Sequence, residues 1–396
     1  MLPRKRGKQI ALAFPTAIPY MALLMRGVAD YARQRGDWTL IVEPGVDGPF
    51  PEKLAMSLRS LHDWPGDGVI GIVTSPEEVQ EAKKLGIPMV TFAGTLRDCE
   101  IPRVMVDHRA IGRLAAEHLL ERGLRRFMYF GVKEVWYSDL RRDGFAERIA
   151  AAGGELQVRE TVRRIDPYTS WQAGLQEMDM WLREIVPPAG IFAVHDYRAR
   201  VLVDECRRVG LAVPDDVAII GVDNNDVICE FCRPPLSSVS RSGYRVGYEA
   251  AALLDRLMAG KTPPDADLLI PPEGVVARKS TDLIAIDNPH VAAAMRYIQE
   301  HLHEPFGVER LVKILPVSRR RLENLFQKNL GRTPLDYLSV MRINRAKELL
   351  ASPEKLAIGQ IAKRCGFSNP QSFRMVFTRL VGKAPMAYRN ELPPIE

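Results

Sequence analysis

Long apolar runs are missing from this sequence of 396 residues. No stretch approaches the roughly 20 residues needed to span a bilayer. Gly, Pro or a charged residue interrupts each of the longest runs, which excludes a transmembrane helix. The opening MLPRKRGKQIALAFPTAIP sets basic residues ahead of an apolar stretch, as a secretory signal would, but Pro15 ends that stretch early and no small-x-small cleavage site follows. Ile10 to Phe14 is expected instead to be the first buried strand of a cytoplasmic protein. Cysteine is scarce too: the five residues Cys99, Cys206, Cys229, Cys232 and Cys365 form an odd, scattered set that suits reduced thiols and excludes a disulfide framework. Cys229 and Cys232 make a C-x-x-C pair. With no second pair, no histidines at zinc spacing and no helix opening at the pair, neither a metal nor a redox role is expected. A Ser/His/Asp arrangement and a phosphate-cradling glycine loop are also absent, so no cofactor and no enzyme activity are expected.

What is present is a globular composition, 46% hydrophobic and 26% charged, in a chain long enough for two or three domains. The net charge of +6 is unevenly spread. Residues 288 to 396 hold 18 Lys/Arg against 9 Asp/Glu, a net of +9, whereas the preceding 287 residues carry a net of −3. Basicity confined to one end is the electrostatic footprint of a nucleic-acid-binding module attached to a neutral partner domain.

Up to about residue 275, short apolar runs alternate with helical patterns: IALAF, TLIVE, GVIGIV, IPMVTF and VMVD, then RRFMYFGV, AGIFAVHD and VAIIGVD. Such alternation reads as βαβ units around parallel sheets, and two series of it as two similar lobes with a cleft between them. In open α/β sheets, loops at the carboxyl ends of strands line the ligand crevice. Asp196 and Asp223, each just after an expected strand, are therefore candidate ligand contacts, or else simple caps of the helix or turn that follows. Asp107 and His108 follow another strand, and Asp107 serves equally well as an N-cap. Residues 276 to 290 carry no strong period. The expected boundaries are a ligand-binding domain over 8–278, a linker over 279–289 and a DNA-binding domain over 290–391.

The last part is wholly helical. Val308, Leu311, Val312 and Leu315 fall on one helical face, Pro316 stops that helix, and Ser318 can cap a second in which Leu322, Leu325 and Phe326 face inward. The arrangement recurs: Ile358, Ile361, Ala362 and Cys365 form a stripe, Gly366 to Asn369 turn, and Phe373, Val376, Phe377 and Leu380 form the next. Two helix-turn-helix units in succession are far harder to obtain by chance than one. The string IGQIAKRCGFSNPQSFRMVFTRLVGKAPMAYR, with its I-x-x-I-A-x-x-x-G-F, S-F-x-x-x-F and G-x-x-P-x-x-Y-R motifs, resembles the AraC/XylS-type DNA-binding domain. That resemblance implies a long helix over about Pro334 to Leu350 joining the units, and recognition helices placed in successive major grooves. Residues in the first turns of a recognition helix reach base edges. The candidate contacts are Arg319, Arg320, Arg321, Glu323 and Asn324 in the first unit, and Asn369, Gln371, Ser372, Arg374, Met375 and Arg379 in the second. Any single arginine can equally hold a phosphate. Met375 stands where an arginine is often found, and can reach only a thymine methyl or pack on the backbone.

Residues 8 to 275 resemble the sugar-binding core of the LacI/GalR family, itself related to periplasmic binding proteins. The carrying strings are VAIIGVDNNDVICEFCRPPLSSV, VDHRAIGRLAAEHLLERGLRRF, R-x-x-G-F from Arg141 to Phe145, and FAVHDYRA in place of N-D-x-x-A. The expected fold is thus an α/β two-lobed periplasmic-binding-protein-like sensor domain plus an all-α double helix-turn-helix domain. The chain opens on the first strand, where LacI/GalR proteins carry a helix-turn-helix, and the expected architecture is a sensor fused to a C-terminal reader, as in the xylose-type operon regulators. Carboxylates accept from vicinal sugar hydroxyls, a guanidinium donates to them, and an aromatic ring covers the apolar sugar face. By resemblance Arg141 is a sugar-contacting arginine, with a surface ion pair as its alternative. Asn224 follows Asp223 in the family string, and His195 replaces the usual Asn. Tyr137 and Trp136 are candidate stacking rings, with Tyr20, Phe14 and Trp171 weaker. The implied function is a sugar-responsive regulator, with xylose as the expected effector and activation of a catabolic operon as the expected outcome; another small molecule, or repression, is the alternative. A homodimer on two DNA half-sites is expected, with RNA polymerase as a further partner of an activator, and no membrane contact.

Overall fold

The computed structural model describes residues 7–15, 18–42, 57–161, 178–286, 288–350, 354 and 356–390. Trp171 lies outside the described residues. The chain divides into two compact units, one made of Met1–Ile111, Val132–Arg142 and Arg241–Glu273, the other of Gly112–Gly131, Asp143–Ser240 and Gly274–Glu396.

The first unit is a parallel sheet with helices against it. Strands β1 (Lys8–Ala13), β2 (Trp38–Ile41), β3 (Gly68–Gly71) and β4 (Met89–Thr91) lie in the order β2-β1-β3-β4, and β5 (Val104–Val106) pairs with β11 (Leu268–Ile270). A bridge between Thr91 and Arg103 joins the two sets. The apolar run of β1 and β3 is buried on both faces, as a parallel sheet covered by helices requires. Helix α1 (Pro19–Arg35) turns Tyr20, Leu24, Val28 and Ala32 inward and ends at Gly36 in the left-handed conformation. It lies against α7 (Gly243–Met258) at a separation only glycine permits. A Cβ on Gly27 would sit 2.0 Å from the Tyr244 carbonyl oxygen, and one on Gly247 1.9 Å from that of Leu24. Helix α2 (Pro76–Lys84), capped by Ser75, covers the other face.

The second unit holds a sheet in the order β12-β10-β9-β8-β6-β7, formed by β6 (Arg126–Val132), β7 (Glu155–Thr161), β8 (Ala189–Ala193), β9 (Val217–Val222), β10 (Ser237–Ser240) and β12 (Gly274–Val276). Only the β10–β12 pair is antiparallel among the described registers. All six residues of β9 are buried. Helices α5 (Asp196–Val209) and the short α6 (Asp226–Phe231) belong to this unit, whereas α3 (His108–Leu120) and α4 (Trp136–Ala151) are shared, their parts up to Ile111 and Arg142 counting with the first unit.

The same unit carries the helical C-terminal part: α8 (Pro289–Glu300), α9 (Val308–Ile314), α10 (Arg319–Leu330), α11 (Pro334–Leu350), α12 (Ile358–Arg364), α13 (Pro370–Val381) and α14 (Pro385–Asn390). Asn288 caps α8 through its side chain, with Pro289 at the first helical position. Helix α11 has the bounds expected from the sequence and belongs to two cores. Its Tyr337 and Leu338 pack with Leu311, Leu322 and Phe326, while Ile343, Ala346 and Leu350 pack with Ile361, Phe373 and Phe377. Arg342, midway along it, donates to the carbonyls of Glu304 (2.7 Å) and Phe306 (3.1 Å) and lies over the rings of Phe306 and Phe367. No helix among the described residues is long and apolar enough to cross a membrane.

The close α1–α7 contact yields a first prediction. Gly247→Ala should destabilise the protein by about 1–3 kcal/mol because a carbonyl, not a movable side-chain end, stands in the way. Gly359→Ala, whose Cβ would meet nothing nearer than 3.8 Å, should not. Urea denaturation of both variants checks it; equal losses would mean the helices can separate freely.

Candidate ligand-binding residues and nucleic-acid interface

In the first unit, Arg141 on α4 is the largest fully buried side chain, only 1% exposed. A buried guanidinium must be held by polar or aromatic partners. Its Nε meets His108 Nδ1 at 3.3 Å, and its guanidinium lies 5.1 Å from the centre of the Tyr137 ring. His108 and Tyr137 are themselves 5.5 Å apart, ring to ring. Gly94 makes room: a Cβ there would lie 3.0 Å from His108 Nε2. The loop around Gly94 also fixes the start of α4, since its carbonyl accepts the Tyr137 amide at 2.9 Å and that of Thr95 accepts the Trp136 amide at 3.0 Å. Arg141, Tyr137 and His108 thus form one group. Asp107 caps α3, its Oδ1 accepting the Ala110 amide at 2.9 Å. Trp136 faces the buried Arg103, 4.6 Å from ring centre to guanidinium. Tyr20 lies 3.5 Å beneath the Arg241 guanidinium, a stacking arginine the sequence reading did not single out. Phe14 meets Phe92 edge to face and is core.

In the second unit, His195 is the N-cap residue of α5 and makes no side-chain cap bond, while Asp196 opens the helix, wholly buried. Its Oδ1 accepts from Ser238 Oγ (2.6 Å), and its Oδ2 from the Asn225 amide (2.8 Å) and Cys229 Sγ (3.5 Å). Gly221 leaves space for it, since a Cβ there would come 2.3 Å from Oδ1. Asp196 therefore organises the loop after β9. In that loop Asp223 (φ 115°) and Asn224 (φ 48°) both take the left-handed backbone region. The Asn224 amide donates to Ser238 Oγ at 2.9 Å, and its side-chain oxygen accepts from Arg278 at 3.0 Å. Arg278 also donates to the Leu236 carbonyl and pairs with Glu230, closing the loop from the far side. Burial, and next the charge of Asp223, push the Asp196 carboxyl up to about 7.

In the helical part, Ser318 accepts the Arg321 amide as the N-cap of α10, and Asn369 accepts the Ser372 amide as that of α13. Asn369 is thus engaged with its own helix. Arg319, Arg320, Arg321 and Asn324 are exposed along α10. Arg319 is clamped, donating to Glu309 of α9 (2.8 Å) and to Glu323 (3.0 Å). That triad crosses between the two helices of the first unit and takes up both Arg319 and Glu323. Arg320 and Arg321 make no side-chain ion pair among the described residues. On α13, Gln371, Arg374, Met375 and Arg379 are exposed, with Ser372 half-buried; Met375 is 64% exposed. Gly331 (φ 67°) and Gly382 (φ 80°) end α10 and α13.

The raised Asp196 carboxyl carries a pH dependence. The folded protein holds this proton more tightly than the unfolded chain does. The resulting stability is complete below the ordinary carboxyl value of roughly 4 and is lost as pH rises through about 7. The melting temperature of the protein should therefore fall relative to that of Asp196→Asn between roughly pH 5 and pH 8. Parallel melting curves over that interval would show that the carboxyl titrates in the usual range.

Residues 116–281 match the periplasmic binding protein-like domain, and residues 311–391 the helix-turn-helix domain. Over 394 residues the chain is 29% identical to the xylose operon regulatory protein of Escherichia coli (strain K12), an alignment covering 96% of this chain and 97% of that one. The xylose operon regulatory protein of Haemophilus influenzae (strain ATCC 51907 / DSM 11121 / KW20 / Rd) is 28% identical over 389 residues, covering 96% and 98%. The solved structure of the xylose-binding transcription activator xylR aligns with a TM-score of 0.61 at 27% identity, over 99% of this chain and 100% of that one. The chain is a DNA-binding transcription regulator with a periplasmic-binding-protein-like domain followed by a double helix-turn-helix domain, similar along its length to the xylose operon regulatory proteins.

Proposed function

We propose that this regulator responds to a sugar, with xylose as the effector, and that it activates transcription without catalysing a reaction. The observation that carries the reading is the chemistry of the two polar groups. The first unit holds a buried guanidinium against a tyrosine ring and an imidazole, and the second holds the Asp196 carboxyl at the start of α5 near Asp223, which sits on a loop bent through two left-handed residues. Guanidinium, carboxylates and an aromatic face are the set that vicinal hydroxyls and an apolar sugar ring require. Within this reading Arg141, Tyr137, His108, Asp223, Asn224 and His195 are the sugar contacts. Asp196 and Asp107 hold their loops in shape, and Trp136 and Tyr20 back the arginines they stack on. The relatives named for xylose support that sugar as the effector.

The DNA contacts proposed are Arg320, Arg321 and Asn324 in the first recognition helix, and Gln371, Ser372, Arg374 and Arg379 in the second. Met375 offers only apolar contact. Arg319 and Glu323 reach DNA as a preformed pair rather than singly, since each already holds the other. The protein would act in the cytoplasm as a homodimer on two half-sites, engaging RNA polymerase there.

A thermal-shift screen over pentoses, hexoses and nucleobases tests the effector. Xylose should raise the melting temperature by mass action, and Asp223→Asn should remove that shift while leaving the unliganded melting temperature nearly unchanged. A shift with a nucleobase and none with any sugar would overturn the reading. For DNA, Arg320→Ala should cost about 1–3 kcal/mol and relax preference at a single base pair if the side chain reads guanine. Uniform weakening on all sequences in a binding titration would place it on a phosphate instead.

A further inference from the structure

The acidic end of α3 meets the first helix-turn-helix unit. Glu121, just past the helix and largely buried, pairs with Arg332 at 3.1 Å. Arg332 lies in the turn between recognition helix α10 and the long helix α11. Three residues before Arg332, the Asn329 carbonyl at the end of α10 accepts a hydrogen bond from Arg125, which follows the same α3 corner. The corner therefore grips the carboxyl end of the recognition helix at a side chain and at a main-chain carbonyl.

The corner is itself rigid. Arg122 is buried and donates to the carbonyls of His118 (2.6 Å) and Thr281, and its own carbonyl accepts the Ala285 amide at 2.7 Å. Gly123 takes φ +84°, and a Cβ on it would lie 2.2 Å from Ile286 Cδ1. Ile284 and Ile286 pack in turn on the core of the first helix-turn-helix unit. Charge is complementary along the contact. Glu117 and Glu121, one turn apart on one side, face Arg332 and Lys347 from the other, and the buried Tyr337 lies beside Arg122, Glu121 and Arg332. Burial pushes the Glu121 carboxyl up, while Arg332 and Arg122 draw it down. None of these residues belongs to the ligand group or the DNA-reading face.

We propose that Glu121 and Arg332 are positioning residues that fix the first recognition helix to the ligand-binding domain, so that the effector acts on DNA through this ion pair as well as through the connecting chain. Coupling between sites needs a physical element that both sites bias, and a charged pair at the base of α10 sets the angle at which that helix is presented. The effector part of the proposal rests on the sugar reading given above; the grip itself does not.

The test uses the full chain as Glu121→Gln, Arg332→Gln and the exchanged pair Glu121→Arg with Arg332→Glu. Amide hydrogen exchange without sugar or DNA should speed up over residues 329–337 in each single variant and return toward wild type in the exchanged pair. With DNA carrying two half-sites, the ratio of affinities with and without xylose, expected at about 5–150-fold in wild type, should drop at least several-fold in the single variants and recover in the exchanged pair. Xylose affinity without DNA should stay within about twofold throughout, as expected of independent sites. Unchanged exchange in the single variants, or singles that keep the wild-type affinity ratio, would overturn the proposal. A wild type whose DNA affinity ignores xylose would overturn the sugar reading and leave the exchange result to decide the grip alone.

Discussion

A single buried guanidinium governs how the chain leaves its α/β part. Arg122 cannot be left without partners in an apolar surround, where an unsatisfied cation costs several kcal/mol. It obtains them from the His118 and Thr281 carbonyls. Thr281 is fixed by His118 Nε2 at 2.8 Å and by Ser237 at 2.7 Å. Ser280 donates to the Ile219 carbonyl of the buried strand β9 at 2.6 Å. Residues 278–285 are thus tied to the sheet strand by strand, and the helices that follow start from a defined point. The same network keeps the His118 imidazole neutral, because burial, reinforced by the Arg122 charge, lowers its pKa well below the ordinary histidine value.

Polar groups in the ligand-binding part divide into those that shape loops and those the loops display. Asp196 is the clearest of the first kind. Its oxygens are taken up by a serine hydroxyl, a main-chain amide and a thiol, all from the segment that carries Asp223 and Asn224. Two consecutive residues with positive φ are costly for side chains other than glycine, by about 1–3 kcal/mol each, and persist only where surrounding bonds over-determine them. The bonds from Asn224 to Ser238 and Arg278 do so here. Cys229 and Cys232, paired in the sequence, are buried beside this loop with thiols pushed up by burial, Cys232 to about 11. Cys232 packs as a small apolar group, while Cys229 also donates its thiol to Asp196.

Much of this was legible in the residues. Apolar runs such as VAIIGVD mark buried parallel strands because both faces of such a strand are covered, and Ser318 announced its helix because a cap is a local device. The doubled helix-turn-helix was readable from stripes at 3.6-residue spacing. What sequence could not show were partners distant along the chain. Arg278 closes a loop some fifty residues earlier, and Ser238 serves Asp196 across forty-two. Glu309 holds Arg319 from the preceding helix, so an exposed-looking arginine run turned out to contain one residue already engaged. Helix α8 was hidden for a different reason: Asn288-Pro289 signals a turn as readily as a capped start, and only packing of Val291, Met295 and Ile298 decides between them.

Helix α11 belongs to two cores at once, with Arg342 pinned at its middle. Each added or deleted residue in an α-helix turns everything beyond it by about 100° and shifts it by about 1.5 Å. A one-residue change in α11 would therefore swing one recognition helix to another side of the module, out of phase with a groove that itself winds. The length of this helix is a quantised ruler: variation in binding sites can be met by exchanging side chains on α10 and α13, but not by stretching the spacing between them. Sequence drift in this part of the molecule is thereby channelled into specificity and kept out of geometry.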